Sequence, residues 1–217
     1  MIAPLANEAT IDRLLQVAVE VFAENGFQNT TVREICSRAN VNVASVNYYF
    51  RSKEALYSQA LTFAFLEANR LYPQDAVYDL SLAPEKRLLL FVTNFLHKLL
   101  NDHHLGFHTK LITHEIANPT KALDEIIATA IAPQCALLEE IVTLLLDSKA
   151  NQIIVKRCVL SILGQCLVFK HSRSIIDKLF PELIADSTAV QASAEHITQF
   201  SLVALTQFTQ ANEVLEL

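Results

Sequence analysis

The sequence predicts an all-α protein, and three observations carry that prediction. Glycine occurs only 3 times and proline 6 times in 217 residues, which leaves little material for strand turns and flexible linkers. Hydrophobic residues make up 52% of the chain and recur at helical rather than alternating spacing. Helix-start patterns, a capping hydroxyl followed three residues later by Glu or Gln, stand at Thr31/Glu34 and Thr188/Gln191. About nine helices account for the chain. They group into an N-terminal three-helix domain over 1–56, a bridging helix over about 52–72, and a C-terminal helical domain over 57–217.

The first helix is expected over Ala9–Asn25, after a loose arm of eight residues. Ile11, Leu14, Leu15, Ala18, Val21 and Phe22 form its buried stripe. Asn25-Gly26 stops it, and Phe27 plugs the small core. The bridging helix carries Leu56, Ala60, Phe63, Ala64 and Glu67 on one side, and Pro73–Ala83 is the best linker. Pro84 opens a helix over 84–102. Asn101 to His104 and Gly106 mark a break before a helix over 107–117. The next runs from Asn118-Pro119 to about Asp147, with Pro133 expected to kink or split it. A helix over 149–171 is apolar on nearly all sides from Cys158 to Phe169. A short helix over 175–180 follows, and a last one spans 189–211.

Thr31 to Leu56 reads as two short helices, a tight turn and the start of a third helix. Thr31 and Glu34 cap the first, whose Val32, Ile35 and Ala39 share a face. Asn40 supplies the left-handed turn residue and Asn42 caps the second helix. Val46, Tyr49 and Phe50 point inward, so Val43, Ala44, Asn47 and Tyr48 face out. Ser52 caps the third helix, with Lys53 in its first turn. This is helix-turn-helix geometry, which offers the outer face of its second helix to a DNA major groove. The residues expected at the DNA are Thr31, Arg33, Asn42, Val43, Ala44, Ser45, Asn47, Tyr48 and Lys53. Tyr48 suits a phosphate, since Tyr49 and Phe50 already serve the core, with an ordinary helix aromatic that covers the core as the alternative. Lys53 opposes the macrodipole at a helix start, which a nearby phosphate would explain, although an idle surface lysine is an alternative. Arg33 suits guanine and Asn47 adenine, and the sequence leaves open which of them reads a base.

The same stretch resembles the DNA-binding signature of the TetR family of bacterial repressors. The matching residues are Thr31 to Ile35, Ala39-Asn40-Val41, Tyr49-Phe50 and Ser52 to Leu56. Asn40 stands where the family has Gly, and Asn47 where it has Tyr. His114 to Thr120, Gly164 to Leu167 running on to Arg173, and Leu179-Phe180-Pro181 resemble the C-terminal domain of the CecR-type branch. Lys170 and Ser174 replace Arg and Pro of that pattern. The resemblance implies a one-component transcriptional regulator, a repressor released from a palindromic double-stranded DNA operator by a small-molecule effector.

Charge and composition bound the other readings. The formal net charge is −6, yet Thr30 to Tyr57 carries Arg33, Arg38, Arg51 and Lys53 against Glu34 and Glu54, a net of +2. That is a small basic face on an acidic body. Cys36, Cys135, Cys158 and Cys166 form no CxxC pair and are expected as free buried thiols. His104 and His108 are four apart with His114-Glu115 nearby, but HExxH spacing is lacking, so no metal or other cofactor is assigned and solvated or hydrogen-bonded histidines are expected. No GxSxG, phosphate-binding Gly loop or paired carboxylates point to an enzyme. MIAPLANEAT lacks a signal-peptide pattern, and Cys158–Phe169 falls short of the roughly 20 residues of a membrane span, so a cytoplasmic protein is expected.

A dimer and a pocket complete the expectations. Val190, Ala194, Ile197, Ser201, Ala204 and Phe208 form a seam on the last helix; a second face holds Phe200, Val203 and Gln207. With the apolar helix over 149–171, this exceeds what one domain can hide and predicts a homodimer. Its expected interface is Ile162, Cys166, Ala194, Ile197, Phe200, Ser201, Ala204 and Phe208. Gln165 in an apolar helix needs a partner, either a neighbouring helix or a ligand. Phe65, Phe95, Phe107, Leu111, His114, Gln165 and Phe169 are the effector-pocket candidates, with plain core packing as the alternative for each. Two further functions stay open: a metal-responsive regulator, and a helical dimer used as a protein-interaction module without DNA binding.

Overall fold

The computed structural model describes residues 4–146 and 151–215, with side chains over 9–101, 105–146 and 151–208. Among the described residues there are helices and no strand. In chain order they are α1 (Pro4–Asn29), α2 (Val32–Ala39), α3 (Val43–Tyr49), α4 (Lys53–Leu71), α5 (Pro84–Leu100) and α6 (Asp102–Ala117). There follow α7 (Ala122–Ile126), α8 (Ala132–Leu145), α9 (Gln152–His171), α10 (Arg173–Leu179) and α11 (Ser187–Leu215). Two compact units form: Met1–Arg70 with Asp102–Ile131, and Leu71–Asn101 with Ala132–Leu217. This differs from a single cut after residue 56, because α6 and α7 are built into the first unit.

The first unit buries Leu14, Ala18 and Phe22 of α1 with Ile35 and Ala39 of α2, Val46 of α3, and Leu56, Ala60 and Ala64 of α4. Leu111 of α6 and Ile126 of α7 join the same core. A buried polar link fixes α6 there. Tyr57 Oη donates to Glu115 Oε2 at 2.8 Å, and Glu115 Oε1 accepts from the Thr120 amide at 2.7 Å and its hydroxyl at 3.0 Å. Burial, and then Glu115, push the Tyr57 phenol well above its ordinary range. Helix α1 starts at Pro4 and not Ala9, and its regular turns stop at Gly26 as expected, where a φ of 75° and ψ of 167° kink the chain as only glycine does cheaply before it continues to Asn29. Phe27 then sits on Tyr57 at 4.9 Å between ring centroids.

The second unit packs α5, α8, α9 and α11. Its core holds Leu88, Phe91 and Leu96 of α5, Leu138 and Ile141 of α8, Val155, Ile162 and Cys166 of α9, and Ala194, Ile197 and Leu205 of α11. The expected linker is pinned to α5. Arg87, 1% exposed, donates to the Val77 carbonyl at 2.7 Å and to Glu140 of α8 at 2.8 Å, and Asn94 holds the Pro73 carbonyl.

Three boundaries differ from the sequence reading for local reasons. The break before α6 is the single residue Asn101, and α6 continues through Gly106. The stretch expected to be helical from Asn118 starts as a helix only at Ala122, whose amide donates to the Thr120 hydroxyl at 3.1 Å. It splits as expected of Pro133: Ile127–Ile131 form a π turn before α8. Proline removes one amide and crowds the carbonyl four residues back, and a wider turn relieves both. At α11 the cap is Asp186 Oδ1, which accepts the Ala189 amide at 2.9 Å, two residues before the Thr188 of the Thr188/Gln191 pattern. By length and hydropathy, Ala122–Leu145 and Gln152–His171 reach membrane-spanning size. The first is interrupted by that π turn, and the second gives five buried residues to the core of its unit.

Candidate nucleic-acid interface

Local chemistry builds the turn between α2 and α3. Thr31 Oγ1 accepts the Glu34 amide at 3.2 Å, and the Glu34 carboxylate accepts from Asn25 and Arg38, both at 3.1 Å. At the other end Asn40 is left-handed, with φ 51° and ψ 49°. The Asn40 amide reaches the Ser37 carbonyl at 3.3 Å and the Val41 amide reaches Cys36 at 3.0 Å. That pair of bonds is a Schellman stop, closed by the residue type that tolerates the conformation after glycine. Asn42 Oδ1 then accepts the Ala44 amide at 2.9 Å and starts α3.

Helix α3 is anchored by Val46, 1% exposed, with Phe50 buried just after it. Val43, Ala44 and Asn47 are exposed, and Tyr48 is 79% exposed with its ring edge-on to Tyr49. Thr31, Arg33 and Asn42 are exposed as well, and Ser45 is half-buried. Thr31 and Asn42 spend an acceptor on their caps but keep a hydroxyl proton and an amide NH2 for outside acceptors. The arrangement presents a short ridge with hydrogen-bonding groups at its edge and the aromatic hydroxyl of Tyr48 beside them.

The cations beside this ridge differ in their engagement. Arg38 binds Glu24 at 2.7 Å and Glu34 at 3.1 Å. Lys53 Nζ lies 4.5 Å from the Phe27 ring centroid and 3.3 Å from the Gln28 carbonyl, so it ties α4 to the end of α1. Ser52 caps α4 through the Ala55 amide. The first turn of α4 is met by Glu54, whose carboxyl is held below the ordinary range by its own amide and then by Ser52. The fold thus accounts for Lys53 without a phosphate. Arg51, which sequence reasoning counted only as charge, has a φ of 66° and is exposed.

The pocket candidates fall in both units. Phe65, Phe107, Leu111 and His114 belong to the first, where Leu111 is fully buried in the core and Phe107 is 42% exposed. Phe95, Gln165 and Phe169 belong to the second and are half-buried. Gln165 Nε2 reaches Ser201 Oγ at 3.3 Å and the Ser161 carbonyl at 3.4 Å, so a neighbouring helix supplies its partner. It also stands where two grooves meet between α9 and α11. One, of about 200 Å³, runs past Arg157, Phe200 and Phe208. The other, of about 530 Å³, is lined by Phe169, Glu182, Leu183 and His196 among others.

The expected dimer residues need correction. Ile162, Cys166, Ala194, Ile197 and Ser201 are at most 4% exposed and lie in the core of their own unit, so they are closed to a partner. Helix α11 packs that seam along α5. The uncovered apolar face is the neighbouring one: Leu160 at 69%, Phe200 at 61%, Val203 at 62% and Phe208 at 47% exposed, with Ala204 half-buried beside them. Helix α9 is therefore not buried all round within its unit.

The histidine expectation also changes. His108 is 6% exposed, and neither ring nitrogen has a hydrogen-bond partner among the described residues. Its ring stacks on Phe63, and burial holds its pKa below the usual value against the opposing pull of Glu67 and Glu20. The side chain of His104 lies outside the described residues. Among those described, no three His, Cys, Asp or Glu side chains are grouped to hold a metal ion.

Comparison with known proteins adds independent findings. Residues 14–60 match the family model described as bacterial regulatory proteins, tetR family. Residues 84–205 match that of the C-terminal domain of the HTH-type transcriptional dual regulator CecR. The chain is 31% identical over 122 residues to the "Probable HTH-type transcriptional regulator YttP" of Bacillus subtilis, a match that spans 56% of this chain and 57% of that one. It is 27% identical over 183 residues to the HTH-type transcriptional dual regulator CecR of Shigella flexneri, spanning 79% and 80% of the two chains. Among solved structures, the transcriptional regulator FadR from Bacillus subtilis in complex with stearoyl-CoA superposes with a TM-score of 0.65 at 17% identity, over 88% of this chain and 96% of that one. A TetR-like regulator from Rhodococcus sp. RHA1 gives 0.62 at 16% identity, over 94% and 99%.

Proposed function

The chain belongs to the tetR family of bacterial transcriptional regulators, with a C-terminal domain of the CecR type, and on that premise we propose that it is a homodimeric repressor which binds a palindromic operator through α3. The observation that carries this reading is the exposed edge of α3. Val43, Ala44, Asn47 and Tyr48 face out while Val46 anchors the helix, and Asn40 and Asn42 set its angle. Asn47 offers a bidentate amide to a base edge, and Tyr48, Thr31, Asn42 and Ser45 offer donors to phosphates. Arg33 adds a cation at the start of α2. Lys53 contributes mainly by holding α4 against the end of α1.

Two copies are needed to read two half-sites about one DNA turn apart. The exposed stripe of Leu160, Phe200, Val203 and Phe208 supports pairing of α9 and α11 across a two-fold axis. A small-molecule effector that binds better to one conformation shifts the population away from the DNA-binding form. The groove at Gln165 and Phe169 supports a ligand in the second unit; the relatives' ligand-bound example supports the class and not the identity. Action on chromosomal DNA implies a cytoplasmic protein.

Footprinting on the duplex upstream of its own coding region tests the reading. The wild type is expected to protect a two-fold symmetric site. Asn47→Ala should alter base preference by about 1–3 kcal/mol at the contacted position, and Tyr48→Phe should weaken all duplexes alike. Protection of no duplex, or full protection by both variants, would overturn it.

A further inference from the structure

Among the described residues three positions have a positive φ: Gly26, Asn40 and Arg51. The first two carry the residue types that tolerate it, glycine and asparagine. Arg51 does not. It fills the one-residue reversal between Phe50, which ends α3, and Ser52, which caps α4. Any residue there must take this conformation, and glycine would take it with less strain. The arginine side chain brings nothing back within the fold. It is exposed, and no hydrogen bond or ion pair engages it among the described residues. Its neighbours behave otherwise, since Arg38 is held by Glu24 and Glu34, and Lys53 by Phe27 and Gln28. Strain kept without an internal return points to a use outside the molecule.

We propose that Arg51 is a DNA-phosphate contact at the α3–α4 reversal, replacing Lys53 as the cation that flanks the recognition helix. This rests on the DNA-binding reading above. The guanidinium is always charged and its planar fork suits a phosphate. The left-handed backbone sets it at the C-terminal end of α3, opposite the amide-rich start at Asn42. A phosphate there fixes the register of α3 without reading sequence.

The test compares Arg51→Gly, Arg51→Lys and Lys53→Met in the full chain. Binding is measured against salt on the upstream duplex and on a random duplex of equal length. Arg51→Gly relieves the backbone, so its melting temperature should equal or exceed that of the wild type. Its affinity should nevertheless fall on both duplexes, and its salt slope should flatten by about 0.9 for each phosphate it no longer neutralises. Arg51→Lys should keep the slope, and Lys53→Met should keep it provided its melting temperature holds. An unchanged slope in Arg51→Gly overturns the assignment, as does a loss confined to the upstream duplex, which would make Arg51 a base reader. Lost affinity that merely follows lost melting temperature also overturns it. A wild type that binds neither duplex removes the DNA-binding reading itself, and is told apart by that alone.

Discussion

The α2–α3 turn and the α9/α11 pair are both helix pairs that bury one face in a core, yet they differ in what decides which face is covered. In the turn, the deciding contacts lie within five residues: Thr31 to Glu34, Val41 to Cys36, Asn42 to Ala44. In α11 two apolar faces compete, and the winner is chosen by α5, some 100 residues earlier in the chain. Local bonds are readable because both partners sit in one short window. A choice between two good faces is made by whatever else the chain folds against them.

Opposite faces of α11 give the largest effect that can break this comparison. Ala194→Glu puts an unpaired carboxylate into the core and should cost more than about 3 kcal/mol in urea unfolding. Phe200→Glu, six residues on, should change the stability of the isolated chain by about 0.5 kcal/mol or less. It should abolish the dimer in light scattering and weaken operator binding with it. The reverse pattern, a tolerant Ala194 and a destabilising Phe200, would return the seam to the partner and undo the assignment.

On the other side of the comparison, Asn42→Ala removes the acceptor of a single local bond. It should cost about 1 kcal/mol, while Asn42→Ser or Asn42→Asp should recover most of it. Loss of the same size in all three variants would mean that the amide NH2, and not the cap, matters to the fold.

The smallest effect sharpens the comparison at His108, a residue whose burial neither local pattern nor periodicity announced. Burial lowers its folded pKa below the ordinary value of about 6.5. The unfolded chain therefore takes up the proton first as pH falls. Stability is full above about pH 6.5 and drops as pH descends towards the folded pKa, with a slope of at most about 1.4 kcal/mol per pH unit for this group. His108→Phe should flatten that part of the decline. His97, also lowered by burial, should keep the remainder. An identical pH profile in the variant would show that His108 does not titrate between the two states.

The sequence by itself determined the helical class, the caps at Thr31, Asn42 and Ser52, the left-handed Asn40 and the break at Pro133. Each follows from steric or hydrogen-bonding demands between residues a few positions apart. It also named the outer face of α3, since one buried valine and one buried phenylalanine leave no other side free. Tertiary structure decided the rest. It placed α6 in the first unit through Tyr57 and Glu115, occupied Lys53 with Phe27 and Gln28, and turned Ala194 and Ile197 towards α5. It also left His108 without a hydrogen-bond partner among the described residues. Those outcomes depend on which distant surfaces meet, and burial favours any apolar face that finds a cover, so periodicity could name the candidate faces while only packing could choose between them.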